Sequence, residues 1–310
     1  MTVNPAEAAE LSLLLDVASG PKPGNVDRHD DHDDMDIHDF LDNAVSLRKI
    51  FRDTAKKRYS VGEAIYLSVA EMTDTRKKGF SPGSTQNTQF GSVLLLAPLL
   101  HASPETNDPK INPVSERDRS SGFTLTKELR SNLEGTISGT TVDDAIYFYR
   151  CFDLLDVHVS RDPPEDVPGV DHPEPEKLLR DNSVTLSDVI LARKHDLVAE
   201  EWRECFDWSF RAAEQLDTEY GMTGSSEEAV SRTYLYLLSR RQDSLVAEKH
   251  GEREAEKLRR KAEELYQNYS REKTQEFDDE LLHTGINPGA TADILTAGIY
   301  INLSTGDVDG

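Results

Sequence analysis

Apolar positions recur at helical spacing through most of the chain, and the polar breaks between them fall where helices start and stop. Leu11, Leu14, Leu15 and Ala18 form one face of a first helix that Asn4 can cap and Pro5 can open, ending at Gly20-Pro21. Ile37, Phe40, Leu41, Ala44, Val45 and Leu47 mark a second helix, and Ser60 with Glu63 boxes the start of a third that carries Ile65, Val69 and Met72. A polar, Gly-rich loop over 79–91 feeds the apolar run 92–100, and helical patterns return at about 124–134 and 143–155, the latter started by Thr140 or Thr141. A Pro-rich loop over about 160–176 then divides the chain. Beyond it, Val189, Ile190, Leu197, Trp202, Phe206 and Phe210 suit one or two long helices over 186–216, and Ser225 with Glu228 boxes another that runs through Leu238. Over 249–280 charges dominate, with Glu252 and Glu256 spaced to pair with Arg259 and Arg260, which predicts an exposed, charged helical arm. The last pattern, 294–303, is apolar nearly all round and predicts a helix buried in the core. No period-2 strand and no fixed-period repeat stands out. The expected fold is all-α: a single multi-helix domain over 1–310 with a charged arm at about 249–280 and a buried C-terminal helix.

Charge narrows the range of partners. Of 310 residues, 58 are acidic and 35 basic, a formal net charge of -23, so no general field attracts nucleic acid or an anionic membrane. The acids are spread along the whole chain and the apolar residues keep their period, which points to a salt-adapted, halophilic protein and not to disorder. The two cysteines, Cys151 and Cys205, stand in no disulfide or zinc spacing. The N-terminus lacks a signal-peptide pattern, and the apolar run 93–100 is broken by Pro98 and too short to span a bilayer, so a soluble, cytoplasmic protein without a membrane partner is expected.

Three loops combine glycine with carboxamide, hydroxyl or charged groups next to apolar helices. The first is Pro21-Lys22-Pro23-Gly24-Asn25-Val26-Asp27-Arg28, where two prolines fix the backbone around a cation and Gly24 permits a reversal or a close ligand. The second is 84–91, with Asn87, Thr88 and Gly91, and the third is Asn287-Pro288-Gly289-Ala290-Thr291-Ala292-Asp293. Any one of them alone reads as a helix cap, because Ser84, Asn87 and Asn287 are good helix-start residues. The acidic run 29–39 reads mostly as solvated surface, since it lacks the glycine and terminal glutamate of a calcium loop.

Taken in order along nearly the whole chain, these motifs resemble the triphosphoribosyl-dephospho-CoA synthases. The carriers are Pro21 to Arg28 with Asp36 and Phe40, Asn87-Thr88 with Gly91, and Asn287-Pro288-Gly289 with Thr291-Ala292-Asp293. The resemblance implies an all-helical enzyme that moves the triphosphoribosyl unit of ATP to 3'-dephospho-CoA, releases adenine and so makes a prosthetic-group precursor for an acyl carrier protein. One departure stands out: where the family commonly has Asn-Thr-His-Lys-Gly, this chain has Asn87-Thr88-Gln89-Phe90-Gly91, losing a proton donor and a phosphate-binding cation.

Displacing adenine builds positive charge on the ribose and requires a proton to leave the attacking hydroxyl, roles that suit carboxylates; Asp27 and Asp293 are the candidates. Lys22 and Arg28 are the cations expected near phosphate. Gly24, Asn87, Thr88, Gly91, Asn287, Gly289 and Thr291 complete the expected substrate contacts, and Asp27 with Asp36 is the expected Mg²⁺ pair. Two other readings stay open, a metal-dependent hydrolase or transferase acting on another nucleotide and a non-catalytic helical binding protein. A homo-oligomer is compatible with the sequence.

Overall fold

A computed structural model describes residues 3–28, 37–78, 88–104, 119–155 and 167–305. Among these residues there are fifteen α-helices and no strand. They are α1 (Pro5–Ala18), α2 (Ile37–Ala55), α3 (Val61–Lys78), α4 (Phe90–Ala102), α5 (Arg119–Ser138), α6 (Val142–Cys151), α7 (Pro175–Asp181) and α8 (Leu186–Leu191). The rest are α9 (Leu197–Arg203), α10 (Asp207–Thr223), α11 (Ser226–Arg240), α12 (Ser244–His250), α13 (Glu252–Gln267), α14 (Arg271–Thr284) and α15 (Gly289–Thr305). The all-α expectation holds.

Two apolar helices form the centre. α15 is buried on all sides through Ile294, Leu295, Ala297, Ile299, Tyr300 and Ile301, and packs against α1, α4, α10 and α11. No helix among the described residues is long and apolar enough to cross a membrane. α4 keeps its helix through Pro98, which cannot donate to the carbonyl four residues back; that carbonyl, on Leu94, instead accepts from Trp202 Nε1 at 3.2 Å.

Local start signals act as the sequence suggests. Asn4 caps α1 in a full capping box with Glu7, and Thr141 caps α6 in a box with Asp144, whose carboxylate also accepts from the Gly62 amide. Ser225 accepts from the Glu228 amide at the head of α11.

The stretch 186–216, expected as one or two long helices, is three. Trp202, Phe206 and Phe210 have helical spacing and are all buried, yet Cys205 and Phe206 adopt left-handed backbone at φ 51° and 62°. Buried Glu201 makes the break affordable by accepting the Trp208 and Ser209 amides that open α10. The charged stretch 249–280 is docked. α13 lays a narrow stripe of Ala255, Leu258, Ala262 and Leu265 on α11, and α14 buries Phe277 and Leu281. Such a stripe is easily hidden among so many charges, because four small or medium residues suffice at spacings of three and four.

Candidate active site

The first loop is held from every side. Lys22, in the loop that follows α1, is fully buried, its Nζ donating to Asp16 Oδ1 at 2.8 Å and to Asn25 Oδ1 at 3.0 Å. Two carbonyls of the loop accept from α11: Pro21 O from Ser231 Oγ at 2.7 Å and Pro23 O from Tyr234 OH at 3.2 Å. The Gly24 amide donates to Asp278 Oδ1 of α14 at 2.7 Å. Gly24 sits at φ +78°, and a Cβ there would come within 2.4 Å of the Ile286 carbonyl, so only glycine lets the first loop close on the third. Asn25 Nδ2 completes that contact by donating to Asn287 Oδ1 at 3.1 Å.

The second and third loops meet as tightly. A Cβ on Gly91 would lie 1.9 Å from Asp293 Oδ2, and Ser92 Oγ donates to Asp293 Oδ1 at 2.6 Å. Thr88 Oγ1 accepts from Asn43 Nδ2 at 2.8 Å, which ties the second loop to α2. At the head of α15, Thr291 donates through both its amide and its hydroxyl to Asp243 Oδ2, each at 2.8 Å.

A cavity of about 310 Å³ opens where the three loops join. Its polar lining includes Asp16, Asn25, Thr88, Gln89, Ser92, Asn287, Asp293 and Asp196, the N-cap of α9, with the backbone of Gly91 and Gly289, and its apolar lining includes Phe40, Phe90, Phe148, Phe152 and Leu245. Exposed Arg193, Glu248 and Lys249 also line it and so mark its open rim. α4 and α15 both begin on the cavity, directing the positive ends of two long helices into it.

Of the acidic groups lining this space, Asp16 and Asp293 are in different electrostatic situations. Burial, with the carboxylates of Asp16 and Asp243 adding to it, pushes Asp293 up to about 8 against the opposing Ser92 hydrogen bond. Burial also pushes Asp16 up, against the opposing pull of the Lys22 ammonium 2.8 Å away.

The expected site residues separate into groups. Thr88, Gly91, Asn287, Gly289 and Asp293 line the cavity together. Lys22, Gly24 and Thr291 stand behind it, holding Asp16 and Asn25, the first loop, and α12 through Asp243, respectively. Asp27 is buried against Gly20, where a Cβ would meet its carboxylate at 1.9 Å, and does not line the cavity. Arg28 lies outside as well, sharing Glu227 with Arg271 at 2.6 and 2.7 Å. Asn87 and Asp36 fall outside the described residues, and among those described no cluster of three metal-ligating side chains occurs.

Asp16 is the residue that sequence reasoning missed. Its signal was a single acid inside the apolar run Leu13-Leu14-Leu15-Asp16-Val17, six residues before Lys22. Arg193 and Lys249 carried no signal among so many surface charges.

Over residues 2–308 the chain matches the CitG family model, described as ATP:dephospho-CoA triphosphoribosyl transferase. The chain belongs to this family. This transferase moves the triphosphoribosyl group of ATP to dephospho-CoA, with release of adenine. Its fold is shared with a crystal structure from Archaeoglobus fulgidus, a protein provisionally assigned as a triphosphoribosyl-dephospho-CoA synthase, at a TM-score of 0.64 and 24% identity over 86% of this chain and 99% of the other. No curated protein matches the chain at comparable significance.

Proposed function

We propose that the three-loop cavity is where ATP meets dephospho-CoA, with Asp16 and Asp293 as the reacting pair. The observation that carries this is two carboxyl groups facing one cavity, buried Asp16 beside an ammonium and half-buried Asp293 pushed up to about 8. Asp16 takes the proton of the acceptor hydroxyl as its oxygen bonds to the anomeric carbon of ATP. Asp293, neutral at pH 7, gives a proton to the adenine as the carbon–nitrogen bond breaks, so the base leaves uncharged. Attack and departure then occur in one displacement with inversion, and no covalent enzyme intermediate is needed.

The triphosphate calls for positive charge in a protein of net charge -23. Lys22 and Arg28 are engaged with Asp16 and Glu227, so Arg193, Lys249 and the first turns of α4 and α15 are the groups that meet phosphate. A Mg²⁺ ion, which typically keeps one or two carboxylates together with substrate phosphates, fits Asp196 and Glu248 of the lining; it would neutralise triphosphate charge. Asn25, Thr88 and Asn287 offer neutral hydrogen bonds to ribose or phosphate oxygens. In the cell the product serves as a prosthetic-group precursor for an acyl carrier protein, and the protein works in a salt-adapted cytoplasm.

The test is direct. Purified protein given ATP, Mg²⁺ and dephospho-CoA is expected to yield free adenine and triphosphoribosyl-dephospho-CoA in equal amounts by chromatography and mass spectrometry. Adenine without the coupled product, or neither, overturns the reading.

A further inference from the structure

One wall of the cavity is not explained by proton transfer or by phosphate binding. Gln89 stands immediately before α4, is 3% exposed and lines the cavity, and its Oε1 has no hydrogen-bond partner among the described residues. Its side chain does not cap the helix. A buried acceptor left unmet costs about 1–3 kcal/mol, so the fold keeps Gln89 here against its own stability. Next to it is an aromatic group. Phe90 stacks on Phe148 with centroids 6.0 Å apart and planes 12° from parallel, and Phe152 meets both edge-on at 6.2 and 5.2 Å. Phe148 is buried, whereas Phe90 and Phe152 leave part of their rings open to the same cavity.

An open aromatic ring and an unsatisfied carboxamide lining one cavity are the chemistry that recognises a purine. The ring face stacks on Phe90, and a glutamine amide can pair with adenine in two places on its N6/N7 edge, its oxygen accepting from the exocyclic amine while its nitrogen donates to N7. On the same edge guanine presents two acceptors, O6 and N7, so whichever way the carboxamide turns, its oxygen meets no donor.

We propose that Gln89, Phe90 and Phe152 form a subsite that reads an adenine ring: Phe90 stacks on the base, Phe152, set nearly perpendicular to it, borders the ring, and the Gln89 carboxamide selects its exocyclic amine. Both substrates of the transferase carry adenine, so the shared chemistry is the ring itself, and the assignment rests on the reading that these substrates enter this cavity. The subsite gives a role to Gln89-Phe90, the two residues by which the second loop departs from the usual motif. Gln89 and Phe90 act on binding and choice of base, not on proton transfer.

The test compares dissociation constants for ATP, GTP, purine riboside triphosphate and dephospho-CoA on the full-length wild-type protein and on Gln89→Leu and Phe90→Ala. Wild type is expected to bind ATP roughly 10–100-fold more tightly than GTP or purine riboside triphosphate if the base is the donor's, the range expected for one good two-pronged base contact. In Gln89→Leu that preference falls towards one. If the base is the acceptor's, Gln89→Leu instead weakens dephospho-CoA by a similar factor and leaves ATP unchanged; either pattern supports the subsite. Phe90→Ala is expected to weaken whichever adenine ligand is affected without restoring GTP. Unchanged binding of both ATP and dephospho-CoA in Gln89→Leu overturns the assignment. The comparison of ATP with purine riboside triphosphate on wild type and of dephospho-CoA with its purine riboside analogue needs no variant, so it decides the question even if a variant fails to fold; no discrimination in either pair overturns the subsite. Adenine release measured alongside separates the two ideas: transfer without base discrimination removes the subsite and leaves the reaction, while discrimination without transfer removes the reaction and leaves the subsite.

Discussion

In the proposed mechanism Lys22 acts on the reaction through Asp16. It is the only cation of the first loop that reaches a cavity residue among the described contacts, and it does so fully buried. Removing one partner of such a pair leaves an uncompensated buried charge, so Lys22→Met is expected to lower stability by about 3–5 kcal/mol in chemical denaturation. Adding Asp16→Asn should recover most of that loss without recovering activity, because the pair is neutralised together and the base is gone. The other carboxyl group sets a pH dependence. A group whose folded pKa is raised stabilises fully below its unfolded value, about 4 for a carboxylate, and that contribution is lost as pH rises through the folded value. For Asp293 that value is about 8, and Glu201, pushed up by burial to about 7, acts in the same direction. Melting temperature should therefore fall between about pH 4 and 8, and Asp293→Asn should make the fall shallower, most visibly above pH 7, where Glu201 has already titrated. An unchanged slope would show that Asp293 is ionised in the folded protein across the range.

Helices α4 and α15 meet at their N-terminal ends through a glycine and a carboxylate. At Gly91 any side chain would displace Asp293, since even a Cβ falls 1.9 Å from its oxygen. Gly91→Ala is expected to cost about 1–3 kcal/mol by overpacking and to reduce transfer far more than stability, read as kcat against the denaturation midpoint. Much of this level was legible in the sequence: the capped starts of α1, α6 and α11 and the apolar run of α15 follow from local patterns that tertiary contacts reinforce. The break between α9 and α10 was not, because helical spacing of Trp202, Phe206 and Phe210 says nothing of a buried Glu201 that offers the backbone another partner. The three loops were legible as loops with unusual chemistry. Which of their side chains face a common space depends on how distant helices dock, as α14 does on Gly24 through Asp278, and spacing carries no record of that.

At the scale of the whole molecule, an acidic surface surrounds a site that must take up a triphosphate. A net charge of -23 repels itself and its substrate alike, and salt weakens both effects within a Debye length of roughly 10 Å at 0.1 M. Raising salt from low to molar concentration is therefore expected to raise the melting temperature; a flat response would show that the acidic excess costs the fold little. At intermediate salt, charge neutralisation of Arg193 or Lys249 to Gln should raise the KM for ATP with little change in kcat, because these rim cations are assigned to binding and not to bond breaking. The central claim is that the three loops build one site in which Asp293 gives up its proton to the departing adenine. It is tested most directly by the rate of dephospho-CoA-dependent adenine release by wild type and by Asp293→Asn under saturating ATP, with nucleotide binding measured on the same samples. The account predicts a loss of roughly 10²–10⁴-fold in rate with ATP binding retained. Adenine release by Asp293→Asn within a few-fold of wild type would contradict it.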